Sequence, residues 1–221
     1  MTDTGRVLVF CHTYRLEPET VRALFEQTYH GVDVVFTRDN PYGHASADAD
    51  RANILHNLEK LQSLMQAEPR YEAAWIVESD VIPPRDALER LMAQRGDTVS
   101  GLYASRHSDP TPNCLHASAA GLTPFAWSEI RERWGEPVLT DGACHGCLLI
   151  RRHVLEAVRF RDASPNPPDW GWMQDVRAAG LSQACDTAVV CGHKRPDGLI
   201  LWPTRERVEY ERAAPSWWET W

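Results

Sequence analysis

The sequence has no long apolar run, and none of its hydrophobic stretches approaches the roughly 20 residues that cross a bilayer. Its amino terminus, Met1 to Arg6, is polar and leads straight into Val7-Leu8-Val9-Phe10, without the charged-then-apolar pattern of a secretory leader. A cytoplasmic chain is expected, with its six cysteines as reduced thiols rather than a disulfide framework. There is no excess of positive charge: 23 Lys and Arg against 31 Asp and Glu give a net charge of −8. That balance argues against broad electrostatic capture of nucleic acid or anionic membrane. A second close-spaced cysteine pair is missing beside Cys144 and Cys147, so small buried thiols are favoured over a four-ligand zinc site. Glycine is absent from Cys11-His12-Thr13-Tyr14-Arg15, the stretch after the first apolar run. No internal repeat and no dividing linker is visible.

What is present is ordinary globular material: 221 residues, 43% hydrophobic and 24% charged. This fits one large domain, or a domain with an extension. Val7 to Cys11 predicts a buried strand, and Pro18 and Glu19 open a helix carrying Val21, Leu24 and Phe25. Val32 to Phe36 predicts a second strand, and Tyr42 to Asp50 a polar loop. From Arg51 a helix is expected, with Ile54, Leu55, Leu58, Leu61, Leu64 and Met65 on one face. Ala73 to Val77 and Thr98 to Tyr103 are further strands around a short helix at Leu88, Leu91 and Met92. Residues 104 to 141 break the alternation and read as irregular, with an edge hairpin possible. Gly146 to Arg151 predicts a strand, Asp169 begins a helix that Gly180 stops, and Ala184 to Cys191 predicts the last strand. Strands alternating with helices imply an α/β fold, with a mostly parallel sheet covered on both faces.

The central stretch is Val77-Glu78-Ser79-Asp80-Val81-Ile82-Pro83-Pro84. Along a strand Glu78 and Asp80 would project to the same side, at the carboxyl end where open α/β sheets bind ligands. Two hard oxygen donors there suit a divalent cation that also holds phosphate. Thr13 with Arg15, Asp39 with Arg51 and Asn53, and Asp169 with His193 also fall at strand ends or helix starts. In a doubly wound sheet such positions converge on one rim. Plainer readings stay open: Asp169 as a helix cap, Asp39 as a turn former, Arg51 as a surface charge and His193 as a structural histidine.

These segments, in this order, resemble the GT-A-fold glycosyltransferases, most closely glycosyltransferase family 2. Glu78-Ser79-Asp80 resembles the DxD segment, and Val7 to Arg15 the first strand and its nucleotide-contacting loop. Arg51-Ala52-Asn53 resembles an Arg-Asn element, and Gly146 to Arg152 a strand near the acceptor site. Asp169-Trp170-Gly171 resembles the segment that supplies the catalytic base, and Asp186 to His193 the closing strand. The chain departs at two positions: Glu78 stands where the motif has its first Asp, and Pro168 where the first acid of a Glu-Asp doublet belongs. The resemblance implies a single GT-A-like (Rossmann-like) domain over residues 1–193, with a Trp- and Arg-rich extension over 194–221 packed on it. It implies an inverting transferase with Asp169 as base and a Mn²⁺ or Mg²⁺ ion on Asp80, His193 and Glu78. Thr13, Arg15, Asp39, Arg51, Asn53, Glu78 and Ser79 would hold the nucleotide-diphosphate sugar, with a UDP-sugar favoured. The acceptor is open among a glycan, a lipid-linked sugar, a protein and a hydroxylated DNA base. For the last, Arg151, Arg152, Lys194, Arg195, Arg205 and Arg207 could form a basic strip. Two other functions fit less of the chain: a non-catalytic nucleotide- or partner-binding descendant, and a sugar-phosphate nucleotidyltransferase. The latter needs the Gly-rich phosphate loop that Cys11 to Arg15 lacks.

Overall fold

A computed structural model describes residues 5–13, 15–119, 121–164 and 166–213. Trp217, Trp218 and Trp221, expected to pack the tail onto the domain, lie outside the described residues. The first half alternates strand and helix: β1 (Arg6–His12), α1 (Pro18–Phe25), β2 (Val32–Thr37), α2 (Ala47–Ala67), β3 (Tyr71–Val77), β4 (Val81–Ile82), α3 (Ala87–Ala93) and β5 (Thr98–Leu102). Short elements follow: β6 (Cys114–Ser118), β7 (Gly121–Pro124), α4 (Trp127–Glu132), β8 (Pro137–Thr140) and β9 (Gly142–Ala143). The remainder is β10 (Cys147–Arg151), α5 (Arg152–Ala157), α6 (Pro168–Ala178), β11 (Gln183–Val190), β12 (Gly192–Lys194), β13 (Leu199–Pro203) and β14 (Val208–Arg212).

The central sheet has seven strands in the order β2-β1-β3-β10-β5-β11-β8. β1, β2, β3, β5 and β11 share one direction, while β10 and the edge strand β8 oppose it. Strand alternation splits the core between the two faces. Leu8, Phe10, Ala74 and Ile76 pack with Leu58, Leu61 and Met65 of α2 and with Trp172 and Val176 of α6. Val7, Val9, Trp75 and Val77 pack on the other face with Leu88 and Leu91 of α3. The fold is thus a mostly parallel α/β sheet flanked by helices, as the alternating pattern predicts.

Three local features depart from the sequence expectation. Helix α2 starts at Ala47, one turn before Arg51, because Ser46 caps it: Ala49 N–H donates to Ser46 Oγ at 3.2 Å. Asp48 and Asp50 then sit in the first turn, where the helix dipole favours them, and no large apolar residue marks that turn. The irregular segment does hold a hairpin, β6–β7, but it joins β9 in a separate three-stranded sheet, while β8 extends the central one. Finally, β12, β13 and β14 form a four-stranded sheet with β4, which pairs with β12, so a boundary between 193 and 194 falls inside β12.

Candidate active site

β1, β2 and β3 are parallel, so their carboxyl ends open on one rim, joined there by the Thr13 N–H to Thr37 O bond (2.9 Å). A cleft of about 990 Å³ lies over that rim. Its floor includes His12, Thr13, Glu78, Ser79 and Asp80; one wall includes Asn40, Asp50 and Asn53, and the segment from Lys194 to Gly198 forms another. Such a volume is at the upper end of the roughly 300–1,000 Å³ typical of small-molecule sites.

The two carboxylates are presented by a turn rather than by strand alternation. β3 ends at Val77, and Val81 N–H donates to Glu78 O at 3.0 Å, so Ser79 and Asp80 turn the chain into β4. Backbone bonds fix the turn on both sides: Glu78 N–H donates to Gly146 O (3.0 Å) and Lys194 N–H to Asp80 O (2.8 Å). The β12–β4 pairing sets His193 opposite Val81. One ligand atom each of Glu78, Asp80 and His193 then lies within 4.8 Å of the others.

His193 is 5% exposed, and its Nδ1 lies 2.7 Å from the Ala104 carbonyl oxygen. That carbonyl can only accept, so Nδ1 carries the proton and Nε2 presents a lone pair. Nε2 is buried with no hydrogen-bond partner and lies 3.7 Å from Asp80 Oδ1. Burial lowers the imidazole pKa, which keeps the ring neutral. A neutral imidazole, oriented by the Ala104 carbonyl and set beside two carboxylates, has the form of a metal-ligating histidine. The residues fit a divalent cation.

The surroundings are charged. Arg106 pairs with Asp80 Oδ2 from the loop after β5. Lys194 Nζ reaches Glu17 (2.8 Å) and Glu19 (3.0 Å) at the start of α1. Burial, with the charges of Asp80 and Asp169 added, pushes the Glu78 carboxyl up to about 8, and Arg106 opposes the rise. Asp169, second residue of α6, is half-exposed as a residue, yet surrounding protein desolvates its carboxyl and raises it to about 6. The Tyr103 ring stands edge-on to His193 at 5.1 Å, and its hydroxyl accepts from Gly146 N–H at 2.9 Å.

Thr13, Arg15, Asn53, Glu78, Ser79 and Asp80 come together on the cleft, with His193 beside them; Asp169 acts on Glu78 through charge. Asp39, Arg51, Asp169 and His193 are not among the cleft-lining residues; His193 is tied to the site by its place beside Glu78 and Asp80, and Asp169 by its charge on Glu78. Asp39 pairs with His56 (2.9 Å) and Lys60 (3.5 Å) on the outer side of α2, and Arg51 pairs with Asp48. Asn53 spends its amide on the adjoining loop, accepting from Tyr42 N–H and donating to Gly43 O. The basic strip does not form as one surface. Arg152 donates to the Met65, Glu68 and Tyr71 carbonyls, and Arg151 to those of Met92 and Gln94, at the opposite end of the sheet from the cleft.

Arg106, His12 and Asn57 are cleft residues that sequence reasoning did not single out. Asn57 had a signal, an amide one turn after Asn53 on an otherwise apolar helix face; it is buried and bonds Asp39 O at 3.0 Å. Arg106 had none, lying in the irregular segment. The metal-suited group among the described residues is Glu78, Asp80 and His193, and all six cysteines are free thiols. His145 is instead buried edge-on between Phe160 and Trp172, and burial lowers its pKa to about 3.

No protein-family profile matches this sequence, and no curated protein does. Solved structures share its fold. The protein A197 from STIV superposes with a TM-score of 0.61 at 13% identity, over 96% of this chain and 97% of that one. GalNAc-T7, solved with UDP, GalNAc and Mn²⁺, gives 0.55 at 10% identity, over 87% of this chain and 44% of that one. The mannosyltransferase PcManGT from Pyrobaculum calidifontis, solved with GDP-Man and Mn²⁺, gives 0.50 at 16% identity, over 84% and 58%. This chain therefore spans only about half the length of the two transferases. The architecture is a GT-A-like fold.

Proposed function

We propose that this chain is a metal-dependent glycosyltransferase that moves a sugar from a nucleoside-diphosphate donor to an acceptor hydroxyl. The observation that carries the reading is the Glu78–Asp80–His193 group, with an orphaned, buried His193 Nε2, at the floor of a cleft large enough for a nucleotide sugar. Asp80 and His193 would hold the cation with Glu78 as a further ligand; Mn²⁺ suits the imidazole better than Mg²⁺ does. When bound, the cation supplies Lewis acidity to the departing diphosphate.

The chain's own residues do the rest. Thr13, Arg15, Asn53, Glu78 and Ser79 line the nucleotide's path, and the backbone-fixed turn at Ser79 positions the diphosphate. Asp39 and Arg51 enter as residues that shape α2 and its loop rather than as direct contacts. Asp169 takes the proton from the acceptor hydroxyl as its oxygen attacks, and its raised pKa sits close to neutral working pH. One base without a second nucleophilic carboxylate implies single displacement with inversion. The reading includes a cytoplasmic location, supported by the six free thiols. Among the described residues no helix is long and apolar enough to cross a membrane.

A panel of nucleotide sugars, UDP-sugars first, incubated with Mn²⁺ or Mg²⁺ tests this through released nucleotide. Metal-dependent hydrolysis of at least one donor is expected. No binding and no turnover with any donor sinks the reading. Donor binding without transfer or hydrolysis moves the chain to the non-catalytic nucleotide-binding class.

A further inference from the structure

The loop after β5 is anchored at its base. Ala104 and Pro112 bridge, Ser105 N–H donates to Thr111 O (2.8 Å), Thr111 N–H to Ser105 Oγ (2.9 Å), and Trp127 Nε1–H to Pro110 O (2.7 Å). Arg106 leaves this fixed base and enters the cleft, where its guanidinium pairs with Asp80 Oδ2. The other oxygen of the same carboxylate, Oδ1, faces the unpartnered His193 Nε2. Asp80 thus carries a cation of the chain's own on one side and an open ligand position on the other. The Arg106 side chain is 44% exposed, so it can swing while its backbone stays anchored.

The geometry points to Arg106 as a resident counter-cation: it holds Asp80 while no metal is bound, and turns onto the donor's diphosphate when a divalent cation takes that carboxylate. The inference rests on the metal and donor reading above and names a residue that reading does not use. In the metal-free protein Arg106 balances the negative charge of Asp80, with which it pairs directly. A divalent cation on Asp80 supplies more charge at the same place and repels the guanidinium a few ångströms away. The displaced side chain would stay on its anchored loop at the cleft, free to turn toward a bound diphosphate. A guanidinium offers a planar fork of donors that matches phosphate oxygens two at a time, which an ammonium cannot. Arg106 would thus oppose metal binding alone and favour metal and nucleoside diphosphate together.

The test uses the full chain and two separate titrations. Free Mn²⁺ is followed by electron paramagnetic resonance as it is titrated into wild type, Arg106→Gln and Arg106→Lys. UDP is then titrated calorimetrically at saturating Mn²⁺. Arg106→Gln should bind Mn²⁺ alone about tenfold tighter and UDP with Mn²⁺ about tenfold more weakly, the loss expected for one charge-assisted bond. Arg106→Lys should retain the opposition to Mn²⁺ but recover UDP binding only in part. The residue lies on an exposed loop, so the melting temperature of each variant should match wild type. Mn²⁺ affinity unchanged or lowered in Arg106→Gln, or UDP affinity unchanged, overturns the inference and leaves the metal site standing. Mn²⁺ binding by none of the three proteins overturns both this inference and the metal site of the proposed function.

Discussion

Asp169 is held in a state that costs the fold and suits the base role proposed for it. Its carboxyl, ordinarily near 3.8, is raised to about 6 by desolvation, with only backbone hydrogen bonds opposing the rise. Between those values the folded chain binds a proton that the unfolded chain releases. The proton's contribution to stability is therefore complete below about pH 3.8 and lost as pH rises through about 6. Asp169→Asn removes that dependence. Its melting temperature should exceed wild type at pH 7.5 and approach it at pH 4, as differential scanning calorimetry will read; a variant less stable at pH 7.5 contradicts the desolvation. The same substitution should lower kcat by about 10²–10⁴-fold with donor affinity intact, and wild-type turnover should fall about tenfold per pH unit below pH 6. Unchanged turnover removes Asp169 from the mechanism. Sequence alone located this residue but not its environment. The fragment Pro168-Asp169 at a helix start is also an ordinary capping pattern, and only the folded surroundings supply the desolvation.

At the scale of elements, the regular parts were legible because their hydrophobic periods are unambiguous. Val7 to Cys11 and Ala73 to Val77 became buried parallel strands, and the Leu58–Leu61–Met65 face of α2 packs on them. Gly180 marked the end of α6 by a definite device. It lies at φ +73°, donates to Arg177 O (3.0 Å), and Leu181 N–H reaches Val176 O (3.2 Å), the paired bonds of a Schellman motif. Gly180→Ala should cost about 1 kcal/mol in urea unfolding with no effect on nucleotide binding. Gly146 is a different case. A Cβ there would lie 2.6 Å from the Tyr103 hydroxyl and ring, and the backbone it would move also bonds Glu78 N–H. Gly146→Ala should therefore destabilise by about 1–3 kcal/mol and also weaken metal binding, a coupling that Gly180→Ala does not share. The first turn of α2 and strand β8 were not legible. The former carries Ala47-Asp48-Ala49-Asp50 without an apolar stripe, and the latter is a four-residue edge strand whose Leu139 points to solvent.

The molecule as a whole draws its cleft from distant parts of the chain, which is why the site was only half visible in the sequence. Glu78, Asp80 and His193 were recognisable because each ends or follows a strand. Arg106 and the Lys194–Gly198 wall arrive through a loop and through β12, whose pairing with the two-residue β4 no periodicity announces. On the proposed function, the same construction would make metal and nucleotide mutually dependent at the level of global stability. Glu78, raised to about 8, would have to give up its proton to bind a cation, and the cation would complete the charge that a diphosphate needs. Ligand at 100 times its dissociation constant adds about 2.7 kcal/mol. For a chain of 221 residues that is a rise of about 5–10 °C in melting temperature. Mn²⁺ with UDP together should give that rise, and UDP alone should give almost none. Asp80→Asn should abolish the joint shift while unfolding at a temperature close to metal-free wild type, and His193→Ala should abolish it from a lower metal-free melting temperature, because that ring is buried and bonded to the Ala104 carbonyl. A full shift with UDP alone, or a shift that survives both substitutions, would separate the nucleotide from the Glu78–Asp80–His193 group and place the cation elsewhere.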